Sequence, residues 1–167
     1  MLNNLRTKIF ADGADIEGIK KLYANPLIKG FTTNPTLMRK EGIENYKSFA
    51  MQVIEAVPDR PISFEVFADD FPTMEKQALA IASWGKNVNV KIPVTNTKGE
   101  SSVPLVERLN NQGVQVNVTA VFTLKQTEEI VNVLSADVPA IVSIFAGRIA
   151  DTGIDPVPLM AEAVNLL

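Results

Sequence analysis

The sequence predicts an alternating β/α fold built on a mostly parallel sheet, and three observations carry that expectation. Six apolar, β-type runs alternate with segments whose apolar residues recur every three or four positions. Runs such as VNVKIPV, VQVNVTAVF and AIVSIFAG are too apolar for a sheet with one wet face and suit strands covered on both. Each run also delivers a polar side chain at or near its C-terminal end, the end where parallel β/α folds gather binding and catalytic groups.

Lys8–Asp12 reads as the first strand. Asp15 opens a helix with Ile16, Ile19, Leu22 and Tyr23 on one face, and Asn25-Pro26 ends it. The second strand, Ile28–Thr33, leads into Asn34-Pro35, and the next helix buries Ile43, Tyr46, Phe49, Ala50, Val53, Ile54 and Val57 before Pro58 stops it. Ile62–Phe67 is the third strand. Asp70 caps a helix that begins near Pro72 and ends near Gly85, a residue suited to a left-handed helix end. Asn87–Val94 follows as the fourth strand, and Ser101 or Ser102 opens a helix through Leu105, Val106 and Leu109 to Gly113. Gln115–Phe122 is the fifth strand, after which Thr123 and Gln126 fit a capping box for the helix of Ile130, Val131 and Leu134. Ala140–Phe145 is the sixth strand, and Asp155-Pro156 begins a helix through Leu159 and Ala163 that reaches Leu167.

At 167 residues the chain suits a single domain, residues 1–167. With neither cysteine nor histidine, thiolate nucleophiles, disulfides, Cys-ligated metal centres and the commonest general base are excluded. Catalysis would therefore fall to Lys, Asp, Glu, Thr, Ser or Tyr. Sixteen basic against nineteen acidic residues leave a net charge of −3, with no basic stripe to follow a phosphate backbone, so no nucleic-acid partner is expected. The apolar runs stay well short of the roughly 20 residues of a spanning helix, so no membrane segment is expected either. MLNNLRTKIF lacks the apolar core and small-residue cleavage site of a secretory signal, and together with the absent cysteines this points to the cytoplasm.

The informative residues are the polar ones inside apolar strands. Asn89 and Lys91 share one parity while Val88, Val90 and Ile92 share the other, so both polar side chains face the same way. Asn117 and Thr119 repeat the pattern, Glu65 sits between Phe64 and Val66, Asp12 ends the first strand, Thr33-Asn34 the second, and Ser143 and Arg148 belong to the sixth unit. Each has a structural reading: a paired or snorkelling lysine, a turn at Asp12-Gly13, a helix start at Thr33-Asn34-Pro35, backbone-satisfied Asn117 and Thr119, a surface charge at Arg148. Their convergence asks for more, because an Asp, a Glu and a Lys on one buried face are costly unless they interact. Lys91 is the available nucleophile. A lysine amine adds to a carbonyl to form an iminium electron sink, so the natural reaction makes or breaks a carbon–carbon bond beside a ketone, with Asp12 and Glu65 moving protons. Arg148 suits an anionic group such as a sugar phosphate.

In order, FADGAD (Phe10–Asp15), TTNPTL (Thr32–Leu37), ISFEVFA (Ile62–Ala68), VKIPVT (Val90–Thr95), VNVTAVF (Val116–Phe122) and SIFAGRI (Ser143–Ile149) resemble the motifs of the transaldolases, particularly the small ones related to fructose-6-phosphate aldolase. The resemblance runs from end to end. It implies a (β/α)8 TIM-type barrel and transfer of a dihydroxyacetone unit between sugar phosphates without metal or cofactor. It further implies Lys91 as the Schiff-base lysine, Asp12 as the acid handling the substrate hydroxyl proton, Glu65 as the carboxylate working through a catalytic water, and Thr119 as the residue orienting that water. Asn34 and Asn117 would bind the dihydroxyacetone hydroxyls, Thr33 would take part in substrate binding, Ser143 and Phe145 would line the pocket, and Arg148 would hold the phosphate. Fructose-6-phosphate aldolases resemble this sequence but carry glutamine and tyrosine where it has Glu65 and Phe145, and both choices here look like a transaldolase. Release of free dihydroxyacetone, and sugar-phosphate binding without turnover, are the competing functions. The family continues for two further β/α units, the first of which carries another phosphate-binding arginine. At about 26 residues per unit a full barrel needs about 210 residues, so this chain is expected to hold six units and to stop within the helix after the sixth strand. The chain is then expected to be part of a longer enzyme, and a natural end at Leu167 would leave open edges that call for a partner subunit; a homo-oligomer is expected.

Overall fold

The computed structural model describes residues 7–167; the signal-peptide reading of the first six residues lies outside the described residues. Six parallel strands, β1 (Ile9–Asp12), β2 (Ile28–Thr32), β3 (Ile62–Glu65), β4 (Val88–Pro93), β5 (Val116–Val121) and β6 (Ala140–Ile144), form one sheet in chain order. Helices α1 (Ile16–Tyr23), α2 (Pro35–Lys40), α3 (Tyr46–Ala56), α4 (Phe71–Ala82), α5 (Val103–Asn111), α6 (Leu124–Val131), α7 (Ala146–Asp151) and α8 (Val157–Leu166) connect and follow them. Unbroken chain order is the topology of a β/α barrel wall; an open doubly wound sheet reverses its strand order at a switch point.

The sheet is curled. Strands β3 and β5 are two positions apart, about 10 Å between backbones in a flat sheet, yet the Asn117 side-chain amide on β5 reaches the Ser63 hydroxyl on β3 at 3.0 Å across β4. Lys91 Nζ on β4 likewise reaches the carbonyl of Thr33, just past β2, at 3.3 Å across β3. Side chains on this face converge, so the polar parity of every strand lines a concave surface. The other parity packs outward: Phe64, Val90, Ile92, Val116 and Val118 belong to one buried cluster with Val53, Ala78, Val106, Leu109 and Ile130 of the helices. Fully burying side chains of this kind contributes about 1.5–3 kcal/mol each.

The start and stop signals differ from the sequence expectation at three places. Where one helix is expected after β2, the structure has two, because Gly42 takes a positive φ of 67° after α2 and Asn45 then caps α3 by accepting from the Ser48 N–H. After β6 the short helix α7 precedes the expected one and ends at Gly153, φ 85°. Gly85 is not left-handed; α4 closes earlier, with Ser83 as a right-handed C-cap. Gly85 is instead a close approach, since a Cβ there would lie 3.2 Å from Asn87 Oδ1, and Asn87 donates to the carbonyls of Val57 and Arg60 at 2.8 and 2.9 Å. No helix among the described residues is long and apolar enough to cross a membrane.

Candidate active site

Strand register brings the site together. Glu65 pairs with Lys91, and Lys91 with Asn117, across β3, β4 and β5. Alternation then puts Ser63, Asn89 and Thr119 on the same concave face. Lys91 is almost entirely buried, and its Nζ lies 3.3 Å from Glu65 Oε2 and 3.3 Å from the Thr33 carbonyl, to which it donates. Burial raises the Glu65 carboxyl above the usual carboxylate range; the Lys91 charge and hydrogen bond pull it back down, and the charge of Asp12 adds to the rise. The Glu65 main chain is pinned from behind by Tyr46, whose hydroxyl donates to the Glu65 carbonyl at 2.9 Å. The Tyr46 ring stands edge-on to Phe64, Phe67 and Trp84, and burial pushes its hydroxyl well above its ordinary value.

An open cleft of about 500 Å³ is lined by Asn34, Glu65, Lys91, Thr119, Phe145 and Arg148, among others. Thr119 Oγ1 is buried and has no hydrogen-bond partner among the described residues, a donor and acceptor free for a water or a substrate oxygen. The next residue, Ala120, takes φ 58° at an irregularity in the β5–β6 register, a backbone strain of about 1–3 kcal/mol of the sort that collects at functional sites. Asn34 reaches the cleft from the start of α2, where its Oδ1 accepts from the Leu37 N–H. Phe145 is braced edge-to-face by Phe122, centroids 5.7 Å apart. Arg148 projects from α7, exposed, with its NH1 3.3 Å from Asp151 Oδ2.

The remaining expected residues sit elsewhere. Asn117, in register with Lys91, and Ser143 form a hydrogen-bonded pair, Ser143 Oγ donating to Asn117 Oδ1 at 2.8 Å. Asp12 is exposed at the end of β1 and accepts from Thr32 Oγ1 at 2.8 Å. Thr33 does not line the cleft; its Oγ1 is buried without a partner among the described residues, and what it offers Lys91 is its carbonyl. Thr32 is the threonine whose hydroxyl stands on the side of Asp12. Tyr46 left no such signal, since its helix position reads as ordinary core.

The loops above the strands are tied down by local devices. Gln77 Oε1 accepts from the N–H groups of Phe67 and Ala68 after β3. Gln126 Oε1 accepts from those of Phe122 and Thr123 after β5. Asp69 joins the β3 and β4 loops, accepting from the Thr97 N–H and hydroxyl at 2.8 and 2.7 Å, and these bonds hold its carboxyl below the ordinary value. Such ties hold a buried lysine, a carboxylate and an orphan hydroxyl in fixed relation, which is what amine catalysis with proton transfer needs.

Residues 9–167 match the family model described as Transaldolase/Fructose-6-phosphate aldolase. The chain belongs to that family. Among the family's curated members, a protein of Dehalococcoides mccartyi named "Probable transaldolase" is 39% identical over 159 residues, covering 95% of this chain and 70% of its own length. Another of that name from Methanococcus maripaludis strain C5 is 37% identical over 160 residues, 95% of this chain and 69% of its own. The dihydrodipicolinate synthase of Rhodopseudomonas palustris superposes with a TM-score of 0.52 at 16% identity, over 74% of this chain. This chain spans about half the length of that structure (49%), and the likeness shows the barrel-type fold alone.

Proposed function

We propose that this chain carries a transaldolase site that moves a dihydroxyacetone unit from sedoheptulose 7-phosphate to glyceraldehyde 3-phosphate, yielding erythrose 4-phosphate and fructose 6-phosphate, through a Schiff base on Lys91. The observation that carries the reading is the buried Lys91 amine 3.3 Å from Glu65 Oε2, in a cleft with Thr119, Phe145 and Arg148, in a chain of the transaldolase/fructose-6-phosphate aldolase family.

The free amine attacks the ketose C2 carbonyl, and loss of water from the carbinolamine leaves an iminium. Asp12 takes the proton of the C4 hydroxyl, the C3–C4 bond breaks, and its electron pair enters the iminium to form an enamine as the aldose departs. The enamine carbon then attacks the acceptor aldehyde, Asp12 returns the proton to the new alkoxide, and water hydrolyses the iminium to restore the amine. Glu65, its carboxyl raised by burial, exchanges protons with the water released and consumed, and the Thr119 hydroxyl orients that water. Asn34 and Asn117 hold the dihydroxyacetone hydroxyls, Thr33 contributes through its carbonyl, Ser143 and Phe145 shape the pocket, and Arg148 binds the phosphate as a charge-assisted fork. A cytoplasmic homo-oligomer acting on sugar phosphates is the setting this reading implies.

Borohydride added with fructose 6-phosphate should trap a covalent adduct on Lys91, located by peptide mass, and Lys91→Ala should abolish it. A folded wild-type protein that stays unmodified overturns the proposal. Product formed only when erythrose 4-phosphate is supplied as acceptor marks a transferase, whereas dihydroxyacetone released without acceptor marks an aldolase. An adduct with no turnover in either assay marks a binding function.

A further inference from the structure

Asn117 is held from both sides by hydroxyl groups. Its Nδ2 donates to Ser63 Oγ at 3.0 Å and its Oδ1 accepts from Ser143 Oγ at 2.8 Å. Asn117 is 1% exposed and Ser63 is 0% exposed, so Ser63 cannot touch a substrate. A serine at a fully buried, inward-facing strand position costs free energy unless its hydroxyl is paired, and its partner here comes from two strands away.

The surroundings of the pair tie it to the site. Asn117 stands in register with Lys91, and Ser63 lies one alternation before Glu65 on β3. Ser63 also pairs in register with Thr32, whose hydroxyl bonds Asp12. With one Nδ2 hydrogen and one Oδ1 lone pair engaged, the amide keeps one donor and one acceptor for a further group. Either assignment of its O and N atoms leaves the same count, because both flanking hydroxyls can donate or accept.

Building on the proposed ketose site, we infer that Ser63 is a positioning residue, whose hydroxyl fixes the Asn117 amide in the plane that turns its free donor and acceptor toward a ketose bound at Lys91. Replacing Ser63 by alanine leaves a buried amide hydrogen unpaired and frees the amide to rotate about χ2, a broad torsion when nothing anchors it. Lys91 and Glu65 keep all their contacts in that variant.

The test follows the fraction of protein carrying the borohydride-trapped adduct, by intact mass, as fructose 6-phosphate is raised. Ser63→Ala is expected to raise the half-saturating ketose concentration about ten-fold while the plateau of adduct is kept. Asn117→Ala should raise it as well, and Ser63→Ala combined with Asn117→Ala should raise it no further than Asn117→Ala alone, because the serine acts only through the asparagine. An unshifted half-saturation in Ser63→Ala, or additive shifts in the double variant, overturns the inference and leaves Ser63 a structural residue. If the alanine protein does not fold, Ser63→Cys, which keeps the volume and weakens the bond, takes its place with the same expectations at smaller amplitude. A wild-type protein that forms no adduct at any ketose concentration overturns the proposed function instead. The role of Ser63 is then read from the Asn117 side-chain amide by nuclear magnetic resonance: slow hydrogen exchange in the wild type and fast exchange in Ser63→Ala support it, and equal exchange in the two overturns it.

Discussion

Glu65 is a residue of the site whose protonation the fold shifts. Its folded carboxyl is raised, chiefly by burial and against the pull of Lys91. The folded state therefore binds the proton more tightly than the unfolded chain. Its contribution to stability is complete below the ordinary carboxylate value and is lost as the pH climbs through the raised one. Carboxyl-carbon resonance titration should place Glu65 above an ordinary glutamate, and Lys91→Met should move it higher still, since the nearest cation is gone; a fall in that variant would contradict the pairing. Lys91, Glu65, Asn117 and Thr119 were legible from parity alone, because a polar side chain on the inward phase of an apolar strand is costly to bury unless it meets a partner or a ligand there. Thr33 shows the limit of that reasoning. It stands next to Thr32 at a strand end, and only the strand's last paired residue decides which hydroxyl faces Asp12 and which is buried behind it. Tyr46 was legible only as core, since nothing in a helix sequence says that its hydroxyl meets the carbonyl of a residue 19 positions away.

Among the elements, α6 is the clearest case of local sequence dictating structure. Thr123 Oγ1 accepts from the Gln126 N–H at 3.1 Å, and Gln126 Oε1 answers by accepting from the Thr123 N–H at 3.2 Å. Thr123→Ala should therefore cost about 0.5–2 kcal/mol in a urea titration; an unchanged midpoint would mean that the helix start is held by packing instead. Gln126 also accepts from the Phe122 N–H, so the same cap fixes the loop carrying the ring that braces Phe145. The pairs Asn34 with Leu37, Asp70 with Thr73 and Asp15 with Gly18 behave as their sequences suggest. The early end of α2 and the whole of α7 were not expected, because six-residue elements offer too few turns for a periodic signal and are closed by left-handed glycines, Gly42 and Gly153. Ser102 opens α5 without capping it: its hydroxyl donates to the Pro93 carbonyl at 2.6 Å and so ties the helix to the end of β4.

For the molecule as a whole, chain-order strand pairing makes β3 and β4 central and leaves β1 and β6 at the edges of the described sheet. Strands β4 and β5 are buried along nearly their whole length, whereas every residue of β6 is half-buried and β1 is half-buried or exposed. Hydrogen exchange should accordingly be slowest for the amides of Val90, Ile92 and Val118 and faster for β1 and β6; uniform protection across the sheet would show that its edges are covered in solution. The sequence by itself determined the β/α alternation, the parallel sheet, most of the helix caps and the set of polar residues on the inward phase, because periodicity and capping act over a few residues and leave their mark in composition. Only the tertiary structure decided how those residues meet. The curl of the sheet brings Asn117 to Ser63 and Lys91 to the Thr33 carbonyl across intervening strands. An irregularity in the β5–β6 register falls at Ala120, next to Thr119, and the depth of burial raises the Glu65 carboxyl. Those outcomes depend on distances between segments that are 54 and 58 positions apart along the chain, which no local pattern encodes.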